Sequence, residues 1–358
     1  MQVITARNVN DALLKGIDHL EIEGEWRESR AGRVIESISP VTTTYLKPNE
    51  RVLFSKERDA NPFFHFLEGL WMLNGENDVE TVAFYVKRMA DFSDDGIYLN
   101  GAYGYRWKSY FAHHDQLKTI IERLEDNPDD RRCVLTMWDP IQDLFIRGEE
   151  SKDIPCNTHI YFKIRNDKLQ MTVSCRSNDI IWGAYGANAV HMSILHEFMA
   201  SSIGVKMGKY HQISDSFHAY EKVYKPLQEK IGFLDYYAMK YPIRGYSNEY
   251  ELDDINPYPI MSTNNETWLR ELNDFMYDLK RWKHKARKLE AVCPKDPFFP
   301  EVAYPIARSY AFYKDAAIEM ALKTTEKIKA EDWRLACKQW LERRLKTKES
   351  NKEIEAIL

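Results

Sequence analysis

An α/β (α+β) chain that ends in a helical quarter is predicted by three observations. Short runs that alternate and favour β-branched residues recur up to about Tyr220, one run from Phe63 to Leu73 is apolar nearly all round, and from about Thr263 apolar residues return at helical spacing. A chain of 358 residues exceeds one minimal domain, so the organisation expected is a large unit at 1–262 followed by a helical extension at 263–358.

Taken in order, Asn10 to Leu20 reads as a short helix. Val34-Ile35-Glu36-Ser37-Ile38 and Thr42-Thr43-Thr44-Tyr45-Leu46 read as strands. Phe63 to Leu73 reads as a buried helix, and it carries Glu68. A lone carboxylate in such a run needs a partner or a raised pKa, which suits general acid/base work; the alternative is a helix-edge Glu bonded to a backbone amide. Cys133–Trp138, His159–Ile164 and Leu169–Cys175 read as further strands, the last two joined by the turn-forming Arg165-Asn166-Asp167-Lys168. After the loop Gly183 to Gly186, Ala189 to Ile203 has helical period. Its His191 and His196, five apart, lie on different faces and read as structural or exposed rather than as a metal pair.

In the last quarter, Trp268, Leu272, Phe275, Leu279 and Trp282 recur at 4, 3, 4, 3 spacing and define one apolar stripe. Ile318 with Leu322, and Trp333 with Leu341, suggest two more helices. Lys280-Arg281-Trp282-Lys283-His284-Lys285 and Arg287-Lys288 form a basic cluster around an aromatic. Such a cluster could touch nucleic acid or a protein partner, or be a solvated helix face.

A net charge of -5 argues against a protein that coats nucleic acid. No run of about eighteen apolar residues occurs and the start lacks a signal-peptide core, so a cytoplasmic protein without a membrane span is expected. The five cysteines, Cys133, Cys156, Cys175, Cys293 and Cys337, are scattered without CxxC pairs, which predicts neither a disulfide framework nor a metal site.

Chemistry concentrates in one segment of about sixty-five residues. Pro155-Cys156, Arg176-Ser177-Asn178-Asp179, Asn188 and His218/Tyr220 combine a potential thiolate, a fixed cation, a hydroxyl, carboxylate and amide groups. That set suits a phosphorylated, uncharged heterocycle. C5 of a pyrimidine is a poor nucleophile until a thiolate adds at C6, which gives Cys156 a reason to exist. Arg176 would lower the thiol pKa and pair with a phosphate dianion, Arg131-Arg132 offer further forked donors, and Ser177 adds a hydroxyl. The plain alternative is a cysteine acting as a small buried hydrophobe.

These residues resemble the thymidylate synthase superfamily. The resemblance rests on Glu68 in HFLEGLW, Asn100-Gly101-Ala102-Tyr103-Gly104 ahead of Trp107, Arg131-Arg132, Pro155-Cys156, Arg176-Ser177-x-Asp179 with Gly183, Asn188, and His218-x-Tyr220, and it spans roughly residues 25 to 222. It implies a homodimer of α/β subunits joined back to back through a large twisted mixed sheet. It implies that Cys156 attacks C6, Glu68 organises water and protonation, and Tyr103 joins the network that removes the C5 proton. Arg176, Ser177, Arg30 and, from the other subunit, Arg131 and Arg132 would hold the phosphate. His218 and Tyr220 would bond the sugar 3′-hydroxyl and Asn188 the base, while Asp179 and Gly183 would bind the cosubstrate 5,10-methylenetetrahydrofolate.

Departures from the pattern favour one branch of that superfamily. Asn157 follows the cysteine where methylating members usually have His, and Asn178 gives an RSND block similar to that of the phage pyrimidine hydroxymethylases. Met89 to Asp95 lacks the tryptophans that cover the exocyclic methylene, so water rather than a folate hydride would quench the intermediate. Asn256-Pro257-Tyr258-Pro259-Ile260 resembles the usual C-terminal closing peptide only weakly, and about a hundred residues follow it. An amide at Asn188 matches the O4 and N3–H edge of uracil, although the loop before it is one residue longer than usual. Hydroxymethylation of dUMP, in a phage that modifies its DNA, is therefore expected. Thymidylate synthesis and dCMP hydroxymethylation are the nearest alternatives, and a nucleic-acid or replication-complex binding protein on an inactive scaffold is the more distant one.

Overall fold

The computed structural model describes residues 1–146, 151–240 and 248–357. The chain begins with β1 (Gln2–Ala6), α1 (Val9–Glu23), β2 (Gly24–Arg27), β3 (Val34–Ser37) and β4 (Val41–Tyr45), then α2 (Pro62–Leu73), α3 (Val79–Tyr85), α4 (Tyr103–Lys108) and α5 (Gln116–Asp126). Next come β5 (Val134–Thr136), β6 (Asn157–Arg165), β7 (Lys168–Asp179), α6 (Asn188–Ile203) and β8 (Lys206–Tyr220). Helices follow: α7 (Glu221–Lys240), α8 (Glu249–Leu252), α9 (Asn265–Trp282), α10 (Tyr304–Lys314), α11 (Ile318–Thr325) and α12 (Glu331–Ile357).

One mixed sheet runs β1-β4-β8-β7-β6-β5, with the β2–β3 pair attached through β3 to β8. The β6–β7 hairpin closes at Arg165 opposite Lys168, and Asn166 and Asp167 between them have φ of 52° and 55°. Asn and Asp tolerate that left-handed conformation, which matches the twist of a two-residue hairpin. The register separates two faces. Ile4, Thr43, Gln212, Val173, Ile160 and Leu135 form one row across the sheet, none more than 8% exposed. The adjacent row, Thr44, His211, Thr172, Tyr161 and Val134, belongs to the opposite face, where Tyr161 and Val134 are 44% and 41% exposed.

Every residue of α2 is buried, as its all-round apolar sequence requires. Asn61 caps it by accepting from the Phe64 amide, with Pro62 in the first turn. Gly104 lets α4 approach, since a Cβ there would stand 1.8 Å from the Met72 carbonyl oxygen. Another side of α2 meets the C-terminal helices. Phe63 lies 5.2 Å from Tyr310 and 5.6 Å from Trp340, and Phe66 lies 5.0 Å from Trp333, centroid to centroid. The apolar core thus runs without a break across residue 262.

Several expectations are corrected. The first helix is longer, Val9–Glu23, because Asn8 caps it through the Asn10 and Asp11 amides. The strand at Cys133–Trp138 shrinks to Val134–Thr136, since the chain then turns into Pro140–Ile146, where Asp143 accepts from Arg106. Of the two alternatives for His191 and His196, structural or exposed, burial bears out the first: α6 lies between α2 and the sheet, so opposite faces are both inward, at 2% and 0% exposure. His196 Nε2 donates to the Leu169 carbonyl at 2.7 Å.

The C-terminal stripe packs as expected, with Trp268, Leu272, Phe275 and Leu279 buried. In the basic cluster Lys280 pairs with Glu76 (2.6 Å) and Asp78 (3.2 Å), and the buried Lys283 pairs with Glu80 (2.7 Å). Arg281 and Lys285 stack on Trp282. The segment around Asn256 to Ile260 is strapped down: the Ile260 amide donates to Glu197 and the Tyr258 hydroxyl to Glu301. No helix among the described residues is long and apolar enough to cross a membrane.

Candidate active site

Pro155 and Cys156 lead directly into β6, and the Arg176 amide on β7 donates to the Cys156 carbonyl at 2.9 Å. This backbone tie fixes the half-buried thiol relative to the guanidinium of Arg176, whose Nη2 lies 4.0 Å from Sγ. The guanidinium is aimed by the carbonyls of Pro155 and Ile154, each at 3.0 Å, and sits over the Trp138 ring. Arg176 pulls the thiol pKa down, as expected of it. Burial is the larger effect, so the resting thiol lies above its ordinary value. Tyr103, at the start of α4, lies close enough to Cys156 that burial first and the thiol second push its phenol well up. Asn157 turns away from this group into the core, where its Oδ1 accepts from the Cys175 thiol.

Asp179 closes β7 and caps the next turn, its Oδ1 accepting from the Ile181 and Trp182 amides. Its Oδ2 is buried without a hydrogen bond, and burial lifts the carboxyl above its usual range against the pull of those amides and His218. Residues Ile180–Ala187 then form a π-helical turn, with the Asn188 amide donating to the Gly183 carbonyl five residues back. Such a turn holds one residue more than an α-turn, and Tyr185 and Gly186 within it depart from helical φ/ψ.

The Asn188 side chain meets β7 as a result. Its Nδ2 donates to Asn178 Oδ1 at 3.2 Å, and Asn178 Nδ2 donates to Ser214 Oγ on β8 at 2.9 Å. All three residues are buried. Gly183 lies against the asparagines: a Cβ there would stand 2.8 Å from Asn178 Oδ1 and 3.2 Å from Asn188 Nδ2.

His218 pairs in register with Asp179 across the parallel β7–β8 contact, and its ring packs edge-on against Tyr220. The Tyr220 phenol is raised by burial, then by Asp179 and Cys156, while Arg30 and Arg88 oppose. Ser177, Asp179, His218 and Tyr220 therefore share one end of the β7–β8 pair, with Cys156 and Arg30 in electrostatic range of Tyr220. Arg131 and Arg132 stand apart. Both are exposed just before β5, and Arg132 pairs with Asp130 at 3.1 Å.

Glu68 is 7% exposed in the middle of α2, so it is not a helix-edge residue. Its Oε2 lies 3.0 Å from His191 Nε2 on α6, off the line of a hydrogen bond. Sequence reasoning missed His191 as a neighbour of Glu68, and missed Arg88 and Trp138. Arg88 sits in a 3-10 turn, Lys87–Phe92, that overlaps a segment notable in the sequence only for lacking tryptophan.

A family model described as thymidylate synthase matches residues 12–261. The chain is 46% identical over 357 residues to a deoxyuridylate hydroxymethyltransferase of Pseudomonas phage M6, covering 98% of this chain and 97% of that protein. It is 40% identical over 198 residues to a protein of the same name from Bacillus phage SP01, covering 53% and 51% respectively. A putative thymidylate synthase of Methanothermobacter marburgensis is 37% identical over 139 residues, 39% of this chain and 59% of that one.

Proposed function

Because the chain belongs to the thymidylate synthase family, we propose that it is a C1 transferase that converts dUMP to 5-hydroxymethyl-dUMP. One observation carries the choice within the family. The 46% identity to a deoxyuridylate hydroxymethyltransferase runs through 98% of the chain, including the helices after residue 261 that the family model leaves uncovered. Those helices would serve the same site by burying one side of α2, which carries Glu68.

In this reading Cys156 adds to C6 of the uracil, and Arg176 both steadies the thiolate and, with Ser177 and Arg30, holds the phosphate. His218 and Tyr220 bond the 3′-hydroxyl, and the Asn188 amide reads O4 and N3–H. Tyr103, beside the thiol, joins the removal of the C5 proton. The cosubstrate 5,10-methylenetetrahydrofolate supplies the one-carbon unit at the oxidation level of formaldehyde. Its binding fits Asp179, whose buried, unbonded Oδ2 can accept from a pterin N–H. Water then adds to the exocyclic methylene carbon, which no tryptophan from Met89 to Asp95 shields. The half-exposed sheet face bearing Tyr161 and Val134 supports a back-to-back homodimer, in which Arg131 and Arg132 reach the partner's phosphate. The pairing of Lys280 and Lys283 within the chain weighs against a nucleic-acid surface there.

The test is to incubate the protein with methylenetetrahydrofolate and either dUMP or dCMP, and to determine product mass and dihydrofolate formation. Hydroxymethyl-dUMP without dihydrofolate is expected. Formation of dTMP with dihydrofolate would overturn the hydroxymethyl assignment, and hydroxymethyl-dCMP as main product would overturn the uracil assignment.

A further inference from the structure

Two buried ionisable groups meet where α2 packs on α6. Glu68 and His191 approach to 3.0 Å, with side chains 7% and 1% exposed, where Ile194 of α6 lies against Gly69 of α2. Glu68 Oε2 and both ring nitrogens of His191 lack a hydrogen bond. A buried pair left so incomplete is a poor stabilising device, because desolvation of two polar groups goes largely uncompensated. The pair therefore calls for another reason. His191 lies three residues after Asn188 and so shares a helix face with the amide assigned to the base. Asn157, which occupies the position after the nucleophile, is turned into the core, where it accepts from the Cys175 thiol. The neighbouring imidazole of His65, 6.4 Å from His191, is driven well below its ordinary pKa by burial, with His191 and Arg58 adding to the effect.

We propose that His191 is the positioning residue of Glu68 in the water-addition step, its imidazole closing from the 3.0 Å approach into a hydrogen bond that holds the carboxylate and shares the proton it takes. This rests on the hydroxymethylation reading above. In that step the water oxygen bonds to the exocyclic methylene carbon and one water proton passes to the Glu68–His191 pair. The electron pair released towards C5 and O4 re-forms the C5=C6 bond as C6–S breaks, which returns the Cys156 thiolate. No oxidant or reductant is required. Loss of the C5 hydrogen precedes this step, so the two events can be read separately.

The experiment is a single turnover of the full chain with dUMP tritiated at C5 and methylenetetrahydrofolate, comparing wild type with His191→Gln and His191→Asn. Released tritium and hydroxymethyl-dUMP are counted per site, with melting curves alongside. Both variants should release tritium within about threefold of the wild-type rate while product formation falls about a hundredfold, the lower range for a lost proton-handling group. Parallel loss of both signals, full product formation by His191→Gln, or unfolding of both variants would each overturn the role. If wild type itself yields dTMP, the hydroxymethylation reading fails first. Normal wild-type product with parallel losses sinks His191 alone.

Discussion

Replacing Asn178 with alanine should weaken the choice between uracil and cytosine. Asn188 Nδ2 spends one hydrogen on Asn178 Oδ1, which leaves its second N–H and its Oδ1 as a donor and acceptor for O4 and N3–H of uracil. Cytosine presents the reverse pattern, a donor at N4 and an acceptor at N3. To read it, the Asn188 amide would have to turn over and surrender the bond to Asn178, whose Nδ2 donates to Ser214. Losing one neutral hydrogen bond while a buried partner goes unsatisfied costs about 1–3 kcal/mol. At ~1.4 kcal/mol per factor of ten, the ratio of kcat/KM for dUMP over dCMP should fall by about tenfold to a hundredfold in Asn178→Ala. Asn178→Asp keeps an acceptor towards Asn188 and should retain more of the ratio. The assay is steady-state kinetics on both nucleotides, with product mass as identification. A folded Asn178→Ala protein whose ratio stays within about twofold of wild type would refute the anchoring role.

Gly183→Ala should act on the same pair by crowding, raising KM for dUMP and lowering the melting temperature, because the new methyl group meets Asn178 at 2.8 Å; an unchanged KM would show that the asparagines can yield. Asp332, buried beneath the Tyr250 hydroxyl, is pushed up to about 6 by burial. A carboxyl raised in the folded state binds more protons there than in the unfolded chain, so stability falls as pH climbs from about 4 through 6 and then levels. Asp332→Asn should therefore stabilise the protein above pH 6 by up to about 3 kcal/mol, with the gain vanishing towards pH 4 in urea titrations. Trp333→Ala, which empties the contact with Phe66, should cost about 3–5 kcal/mol and also lower kcat, since α2 carries Glu68; stability loss with unchanged kcat would mean that α2 holds its place without this contact.

Legibility in the sequence followed the clarity of the alternation. β6 and β7 were readable because Ile160, Phe162, Met171 and Val173 point inward between polar neighbours. β8 was not, because two of its inward positions are polar: Gln212, bonded to Tyr210 two residues away, and Ser214, whose partner Asn178 lies on β7. The segment Tyr304–Lys314 showed no single apolar stripe, as its aromatic residues are buried on more than one side. Within the site, residue types announced Cys156, Arg176 and Glu68. Whether His191 is structural or exposed stayed open because helical periodicity separates two faces but cannot tell that a helix is covered on both. The hydrogen bonds linking Asn188, Asn178 and Ser214 join two strands and a helix, a juxtaposition that exists only after folding.

The π-helical turn at Ile180–Ala187 has a consequence for comparing such chains by position. A π-turn holds one residue more than an α-turn, so a chain with an α-turn at this place would carry the amide that meets β7 one position earlier in its count. Column-by-column alignment with a chain lacking that residue would put Ala187 opposite the amide, and a relative could be judged to have lost its base-reading residue when it has only shifted in number. Spacing from Gly183 is therefore a weak guide in this loop. A better one is whether an amide can reach the side chain just before Asp179.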